Sequence, residues 1–276
     1  MDKKTGETIR NGIAEVMKGT REVAGGVVDV VSTTVVKALE GVRDVGAVAS
    51  SIVVGAMSGA IKAAGEIGAD LTTVTRNSIV GVIKGFQEVS SVTTSVIRDT
   101  VQSALKGTAE VGGDMGSAAK GAIVGAIQGT RDIAVSAEDA ASEAARGVIH
   151  ALSDVGGDIG QAARNAVKGS IGGVAETSGH LTAVIKDTTK GLVLATKEVG
   201  GDVATVAKSA VLGAIEAARE IGVSVEEAAS AAATGAVEAA ETIGGEAGAA
   251  VRKAVEGTIS GIKIIVKEPF RKNKQS

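Results

Sequence analysis

The chain has 276 residues and a formal net charge of −3; 44% of its residues are apolar but only 1% are aromatic. Its core must therefore consist of Ala, Val, Ile and Leu, which suits closely spaced helices better than a pocket for a bulky ligand. The balanced charge gives no general reason to bind nucleic acid, and we expect no such partner. The lack of Cys excludes disulfides, thiolate catalysis and Cys-based metal sites.

Residues 1–11, MDKKTGETIRN, form a polar lead-in without the apolar segment of a signal peptide. No apolar run in the sequence reaches the ~20 residues that a membrane-spanning helix needs. A cytoplasmic location is therefore expected.

A 22-residue repeat begins at Gly12 and recurs about twelve times, to residue 266, without insertion or deletion. With Ala122 taken as position 1, position 6 is always large and apolar. Its occupants are Met17, Leu39, Ile61, Ile83, Leu105, Ile127, Ile149, Ile171, Val193, Ile215, Val237 and Ile259. Apolar residues at spacings of three and four around this position predict amphipathic helices. A basic tail at residues 267–276 follows the repeats.

Residues 219–228, REIGVSVEEA, indicate how one helix ends and the next begins. Gly222 is suited to the left-handed conformation that ends a helix. Ser224 is suited to cap the next helix, and Glu227 three residues later completes a capping box. Position 13 carries the same glycine at Gly46, Gly68, Gly112, Gly156, Gly200, Gly222 and Gly244. Position 15 carries a cap at Asp70, Asp114, Ser136, Asp158, Asp202 and Ser224.

The turn sequences alternate, because a Gly-Gly-Asp or Gly-Ala-Asp turn recurs every 44 residues from Gly68 to Gly200. This alternation predicts an all-α fold of 44-residue helical hairpins, stacked as an α-solenoid or a closed array. The alternative is one long continuous helix, because two 11-residue periods make 22 and an 11-residue period matches 3.67 residues per turn. The absence of insertions favours the continuous helix, whereas the glycines followed by caps favour hairpins. The turns at Gly25 and Ala47 carry the weakest signals.

Sixteen glycines occupy positions 4 and 8, in the middle of the predicted helices. Each costs ~1 kcal/mol relative to Ala in a helix interior, so a compensating contact is expected. Small residues spaced four apart let helix backbones approach closely, and we predict that this edge presses on another helix. Acids at position 11, such as Glu198 and Glu220, are predicted to pair with bases at positions 10 and 21 on parallel helices two apart in sequence.

The search for reactive groups finds neither a catalytic residue nor a site for a cofactor or a metal. His150 and His180 are the only histidines and have no ligand-spaced acids beside them. The acids recur with the repeat, which indicates a structural role. Glycine-rich segments such as GAIVGAIQG lack the Lys-Ser/Thr of a P-loop, and GGDMG offers too few calcium ligands. We therefore expect a protein that is not an enzyme.

The last repeat departs from the pattern, because Ile264 stands where an acid is usual. We predict a docking edge for another copy, a protein partner or an anionic membrane surface. Its residues are Ile264, Ile265, Val266, Phe270, Arg271 and Lys272. The alternative is a helix end tucked under itself, with a solvated tail.

The period and the Ala/Val/Gly/Thr composition resemble those of synucleins and exchangeable apolipoproteins, which coat lipid surfaces. The chain lacks the Lys-Thr-Lys-Glu-Gly-Val motif of the first family and the repeated Pro of the second, since Pro269 is its single proline. This resemblance implies a lipid-surface or membrane-surface protein, which is the alternative function. The leading hypothesis is a structural or scaffold protein that self-associates or presents an extended helical surface. A small-molecule carrier in a closed ring is disfavoured by the shortage of aromatic residues.

Overall fold

The computed structural model describes residues 23–40, 42–175 and 180–266, where eleven α-helices precede one β-hairpin. The helices are α1 (Val23–Leu39), α2 (Val45–Ile67), α3 (Leu71–Val89), α4 (Thr94–Glu110), α5 (Met115–Gly129), α6 (Ala137–Val155), α7 (Ile159–Ala175), α8 (Leu181–Glu198), α9 (Val203–Ile221), α10 (Val225–Ile243) and α11 (Gly245–Val255). The antiparallel strands are β1 (Gly257–Ile259) and β2 (Ile262–Ile264).

The helices form two layers, because from α1 to α10 each helix packs most extensively on a helix two places away in sequence. The even layer contains α2, α4, α6, α8 and α10, and the odd layer contains the others. Helices within a layer are parallel: successive glycines of α5, at 121, 125 and 129, lie against residues 72, 76 and 83 of α3 in the same order. The predicted all-helical array of hairpins is confirmed, and the continuous helix is wrong.

The apolar stripe of the repeat forms the core. Position 6 is buried in every described repeat, from Leu39 to Ile259, and most of these side chains have no exposed surface. Burying one such side chain contributes ~1.5–3 kcal/mol. Packing between helices therefore uses the stripe that the sequence repeats.

Glycines at position 4 bring the backbones of parallel helices together, as predicted. A Cβ atom added to Gly125, Gly147 or Gly169 would lie 2.6, 2.6 or 2.5 Å from a backbone carbonyl oxygen two helices earlier. The next three position-4 glycines, Gly191, Gly213 and Gly235, make the same approach to Ser142, Arg164 and Lys186. Any side chain here would meet backbone that cannot easily move, which explains the regular glycine despite its cost in a helix.

All six predicted caps at position 15 accept a hydrogen bond from a backbone N–H two or three residues later. Ser224 accepts from the Glu227 N–H at 3.2 Å, and Gly222 adopts the left-handed conformation at φ 83°. The predicted capping box is incomplete, because the Glu227 carboxylate makes no hydrogen bond within the described residues. At Asp202 the hydroxyl of Thr205 donates to the carboxylate, and this hydrogen bond lowers the pKa of Asp202 from its ordinary value.

The first helices depart from the predicted turns, since Gly25 lies within α1, and Gly46 and Ala47 lie within α2. Asp44 instead caps α2 by accepting from the Ala47 N–H at 3.1 Å. The predicted cap position holds Val48, which has no acceptor, so the helix begins at an earlier residue that has one.

The last repeat also departs from the prediction, because it forms the β1–β2 hairpin instead of a helix. Ser260 and Gly261 both have positive φ, 51° and 81°, as a tight hairpin turn requires. Isoleucines alternate across the two strands, and Ile259 and Ile264 are buried. Strand β2 packs on α10, so the hairpin covers the last helix of the even layer and acts as a cap.

Candidate functional site

Ion pairs cross the outer surface between parallel helices of one layer. Between α6 and α8, Glu198 accepts from Arg146 at 2.6 Å and pairs with His150 at 3.0 Å. Acids at position 11 therefore pair with helices two apart, as predicted. The predicted partner positions are wrong for Glu198, whose partners occupy positions 3 and 7 instead of 10 and 21. Bases at position 21 reach position 7 of the next helix in the layer, as Lys186 reaches Glu238 at 3.5 Å. The parallel register offsets the partners by one or two helical turns, which accounts for the difference.

A groove with a volume of about 580 Å³ opens on the even layer between the N-terminal halves of α8 and α10. We call it the α8–α10 groove. Its lining residues are Thr182, Ala183, Lys186, Glu226, Glu227, Ser230, Ala231, Thr234 and Ile265. The walls thus combine methyl groups, hydroxyl groups and three charged side chains.

The groove follows from the small side chains of α10. Ser230, Ala231 and Thr234 occupy repeat positions 21, 22 and 3. The same positions of α8 carry the long or charged side chains at 186, 187 and 190, which are Lys, Asp and Lys. The α6–α8 and α8–α10 pairs have the same close backbone approach, at Gly191 and Gly235. The shorter side chains of α10 therefore leave space at the surface.

Ile265 closes one wall of the groove and is 61% exposed. Its backbone N–H donates to the Ser230 Oγ at 3.1 Å, which anchors the end of the hairpin to α10. The neighbouring Ile264 is buried, and Val266 is half-buried against the core. Side chains alternate between the two sides of an extended chain. Ile265 therefore points away from the core, whereas Ile264 and Val266 on either side of it contact the core.

The predicted docking edge is thus divided by the structure. Ile265 reaches the groove, whereas Ile264 and Val266 contact the core. Phe270, Arg271 and Lys272 lie outside the described residues.

The groove carries an excess of negative charge. Glu226 and Glu227 are exposed and form no ion pair with any described residue. Lys186 is compensated by Glu238. Acids in the first turn of a helix are stabilised by the helix dipole. Glu226 and Glu227 also flank an apolar groove.

Asp187 lies on α8 beside the groove, and its pKa is raised above 3.8, chiefly because it is partly buried. Lys186 and Lys190 oppose this rise, and Glu238 and Glu138 add to it. The raised pKa of Asp187 therefore reflects its burial more than the charges around it.

The two histidines lie apart from the groove. His150 pairs with Glu198, and His180 stands at the N-cap of α8 without a capping hydrogen bond from its side chain. Among the described residues, no three His, Asp or Glu side chains form a group that would hold a metal ion.

Sequence reasoning missed the groove because it treated the outer positions as uniform. The signal in the sequence is the set of small residues Ser230, Ala231 and Thr234. At the same three repeat positions, α4, α6 and α8 each carry at least two charged residues. No protein-family model matches the chain, and no curated protein is similar to it. The function must therefore be inferred from the chemistry of its own surface.

Proposed function

We propose that the chain is a structural or scaffold protein without enzymatic activity, which self-associates or presents an extended helical surface to a protein partner. The observation that carries this proposal is the close backbone contact at position 4. It recurs in seven parallel helix pairs, from Gly81 against Val28 to Gly235 against Lys186.

Contacts of this kind hold the spacing of neighbouring helices rigid, because backbone atoms of one helix rest directly on backbone atoms of the next. A rigid surface loses little conformational entropy when a partner binds. Side chains at the outer positions then vary without disturbing the core. This arrangement suits recognition along an extended surface.

Analytical ultracentrifugation across a wide range of concentrations tests self-association, and cross-linking of the purified chain locates the contacts. We expect reversible oligomers, or a specific complex with a partner, joined through the outer faces of the layers. A chain that stays monomeric and forms no complex through those faces contradicts the proposal.

The alternative, a lipid-surface protein, is favoured by α2. Among the described helices, α2 is the one long and apolar enough to cross a membrane by length and composition, with a mean hydropathy of 1.5 in its most apolar window. Half of that window is buried, as in the core helix of a soluble fold, and Val54 is 52% exposed. Flotation with anionic liposomes tests this function. Failure to float at low salt contradicts it, as does unchanged flotation of Val54→Asp.

A further inference from the structure

The α8–α10 groove combines an apolar floor with unpaired acids at its rim. Ala183, Ala231 and the exposed side chain of Ile265 supply the apolar surface. Glu226 and Glu227 supply two carboxylates that no described residue neutralises. An occupant must therefore match both features.

Charge complementarity selects the class of occupant. Lys186, the single base in the lining, is held 3.5 Å from Glu238, so its charge is already compensated. The remaining net charge of the lining is negative and favours a cation. Two exposed carboxylates on adjacent residues suit Lys or Arg side chains, whose charged ends stay solvated while their stems cover apolar surface.

The shape of the groove selects the form of the occupant. The groove runs between two parallel helices and is open to solvent, with Ile265 at one wall. Because the backbones of α8 and α10 touch at Gly235, an extended segment fits between their side chains better than a helix, whose diameter with side chains is ~10 Å. One aliphatic side chain on that segment would cover Ile265 and exclude water from it.

We propose that the α8–α10 groove binds an extended basic peptide segment of a partner protein, with Lys or Arg beside Glu226 and Glu227 and one apolar side chain against Ile265. The inference rests on the proposed function, because it names the partner class for one part of the extended surface.

The first experiment uses the full chain and a short, labelled Gly/Ser-based peptide that carries several Lys residues and one Leu. Fluorescence anisotropy is expected to show saturable binding that weakens as salt is added. Two companion peptides replace all Lys by Glu, or the Leu by Ser. The Glu peptide is expected to bind at least about tenfold more weakly, and the Ser peptide several-fold more weakly.

The double variant Glu226→Gln with Glu227→Gln tests the acids. We expect the affinity for the Lys peptide to fall about five- to tenfold, as the loss of two exposed ion pairs implies. The matched control is Glu138→Gln with Asp139→Asn, which changes the same repeat positions on α6. This control is expected to bind the peptide as the parent chain does.

The variant Ala231→Asp with Thr234→Lys tests the shape of the groove. It gives α10 the residues that α8 carries at the same positions, leaves the net charge unchanged and retains Ser230 as the acceptor for Ile265. We expect peptide binding to fall at least about tenfold. Circular dichroism checks that the variant stays folded, because Thr234 is only 5% exposed. Ile265→Ser provides a second test, because its exposed side chain can change without disturbing the core.

Equal binding of the Lys and Glu peptides overturns the inference. So does the absence of saturable binding, or a loss in the α6 control as large as that in the groove variant. Ultracentrifugation of the same samples separates this result from the proposed function. Self-association without peptide binding overturns only the groove assignment, whereas the loss of every association contradicts both.

Discussion

The α6–α8 and α8–α10 helix pairs share one backbone arrangement and differ at the surface. In each pair a glycine at position 4, Gly191 or Gly235, lies against a backbone carbonyl of the preceding helix in the layer. The outer surface of α6–α8 is bridged by Glu198, which pairs with Arg146 and His150. The outer surface of α8–α10 opens into a groove with two acids that form no ion pair with any described residue.

This difference shows that the inner and outer positions of the repeat have different structural roles. The glycines at position 4 set the spacing of the helices, and from Gly125 to Gly235 they do not vary because each faces a backbone carbonyl. The outer positions contact mainly side chains and solvent, so they vary at little cost in stability. A binding surface in such a protein is therefore found where outer side chains depart from their counterparts.

The largest expected effect comes from breaking the contact that both pairs share. In Gly235→Val, the new side chain meets the carbonyl of Lys186, and we expect a loss of ~3 kcal/mol in the free energy of unfolding. Urea unfolding followed by circular dichroism measures the loss. Gly172→Ala is the control, because a Cβ there meets nothing within 4 Å. Its stability should rise slightly, since Ala is favoured over Gly inside a helix. A Gly235→Val chain as stable as the parent would refute the backbone-contact account.

The starts of the helices sharpen the comparison, because α10 is capped by Ser224 and α8 begins at His180 without a capping bond. Ser224→Ala should lower the free energy of unfolding by ~1 kcal/mol. His180→Ser should raise it by up to ~1 kcal/mol, since a hydroxyl there can accept a backbone N–H. Thermal unfolding of both variants checks the opposite signs. Equal shifts in the same direction would show that capping does not distinguish the two helices.

Opening the α6–α8 surface should have a smaller effect. Glu198→Gln removes an exposed pair with Arg146 and a contact with His150, and we expect a loss of ~0.5–1 kcal/mol that shrinks at high salt. Glu227→Gln is the matched comparison, because Glu227 has no ion pair to lose within the described residues. Its loss should stay below ~0.5 kcal/mol and reflect only the helix dipole. Urea titrations at low and high salt measure both.

The smallest effect is expected at Asp187, which lies between the two surfaces. Its pKa is raised in the folded protein, so the folded state binds this proton more tightly than the unfolded state does. The ionised carboxylate therefore disfavours folding at neutral pH. This penalty begins to shrink as the pH falls to the raised pKa and is gone below the pKa of the unfolded chain. Asp187→Asn should be slightly more stable than the parent at neutral pH. The difference should narrow in acid.

Unfolding midpoints of the two chains at neutral pH and at a pH of about 4, close to the ordinary pKa of Asp, test this sign. The Coulombic neighbours of Asp187 are Lys186, Lys190, Glu238 and Glu138, so the measurement requires these residues to be unchanged. A constant difference between the chains at both pH values contradicts the raised pKa.

Much of the fold was predictable, because helix boundaries depend on local chemistry. The caps at Asp70, Asp202 and Ser224 follow from acceptor side chains placed after a glycine. The prediction was wrong where that acceptor was missing. Val48, at the predicted cap position, has no acceptor, and Asp44 caps the helix instead. Around Gly261 the positive φ angles favour a hairpin over a helix.

The candidate site was less predictable, because a groove depends on what two distant helices leave between them. Ile265 belonged to the predicted docking edge, but Ile264, the residue that breaks the repeat pattern, is buried. The small residues Ser230 and Ala231 become a signal only by comparison with their counterparts on the other even helices. Their meaning appears only when α8 is placed beside them.

The sequence by itself determined the 22-residue period, the amphipathic helices, the capped turns and the close approach at position 4. These features depend on the intrinsic conformational preferences of Gly, Asp and Ser and on the spacing of apolar side chains. Tertiary structure decided the pairing of acids with positions 3 and 7, the hairpin that covers α10 and the groove beside Ile265. These features depend on the register and spacing of helices some 44 residues apart in sequence, which no local preference specifies.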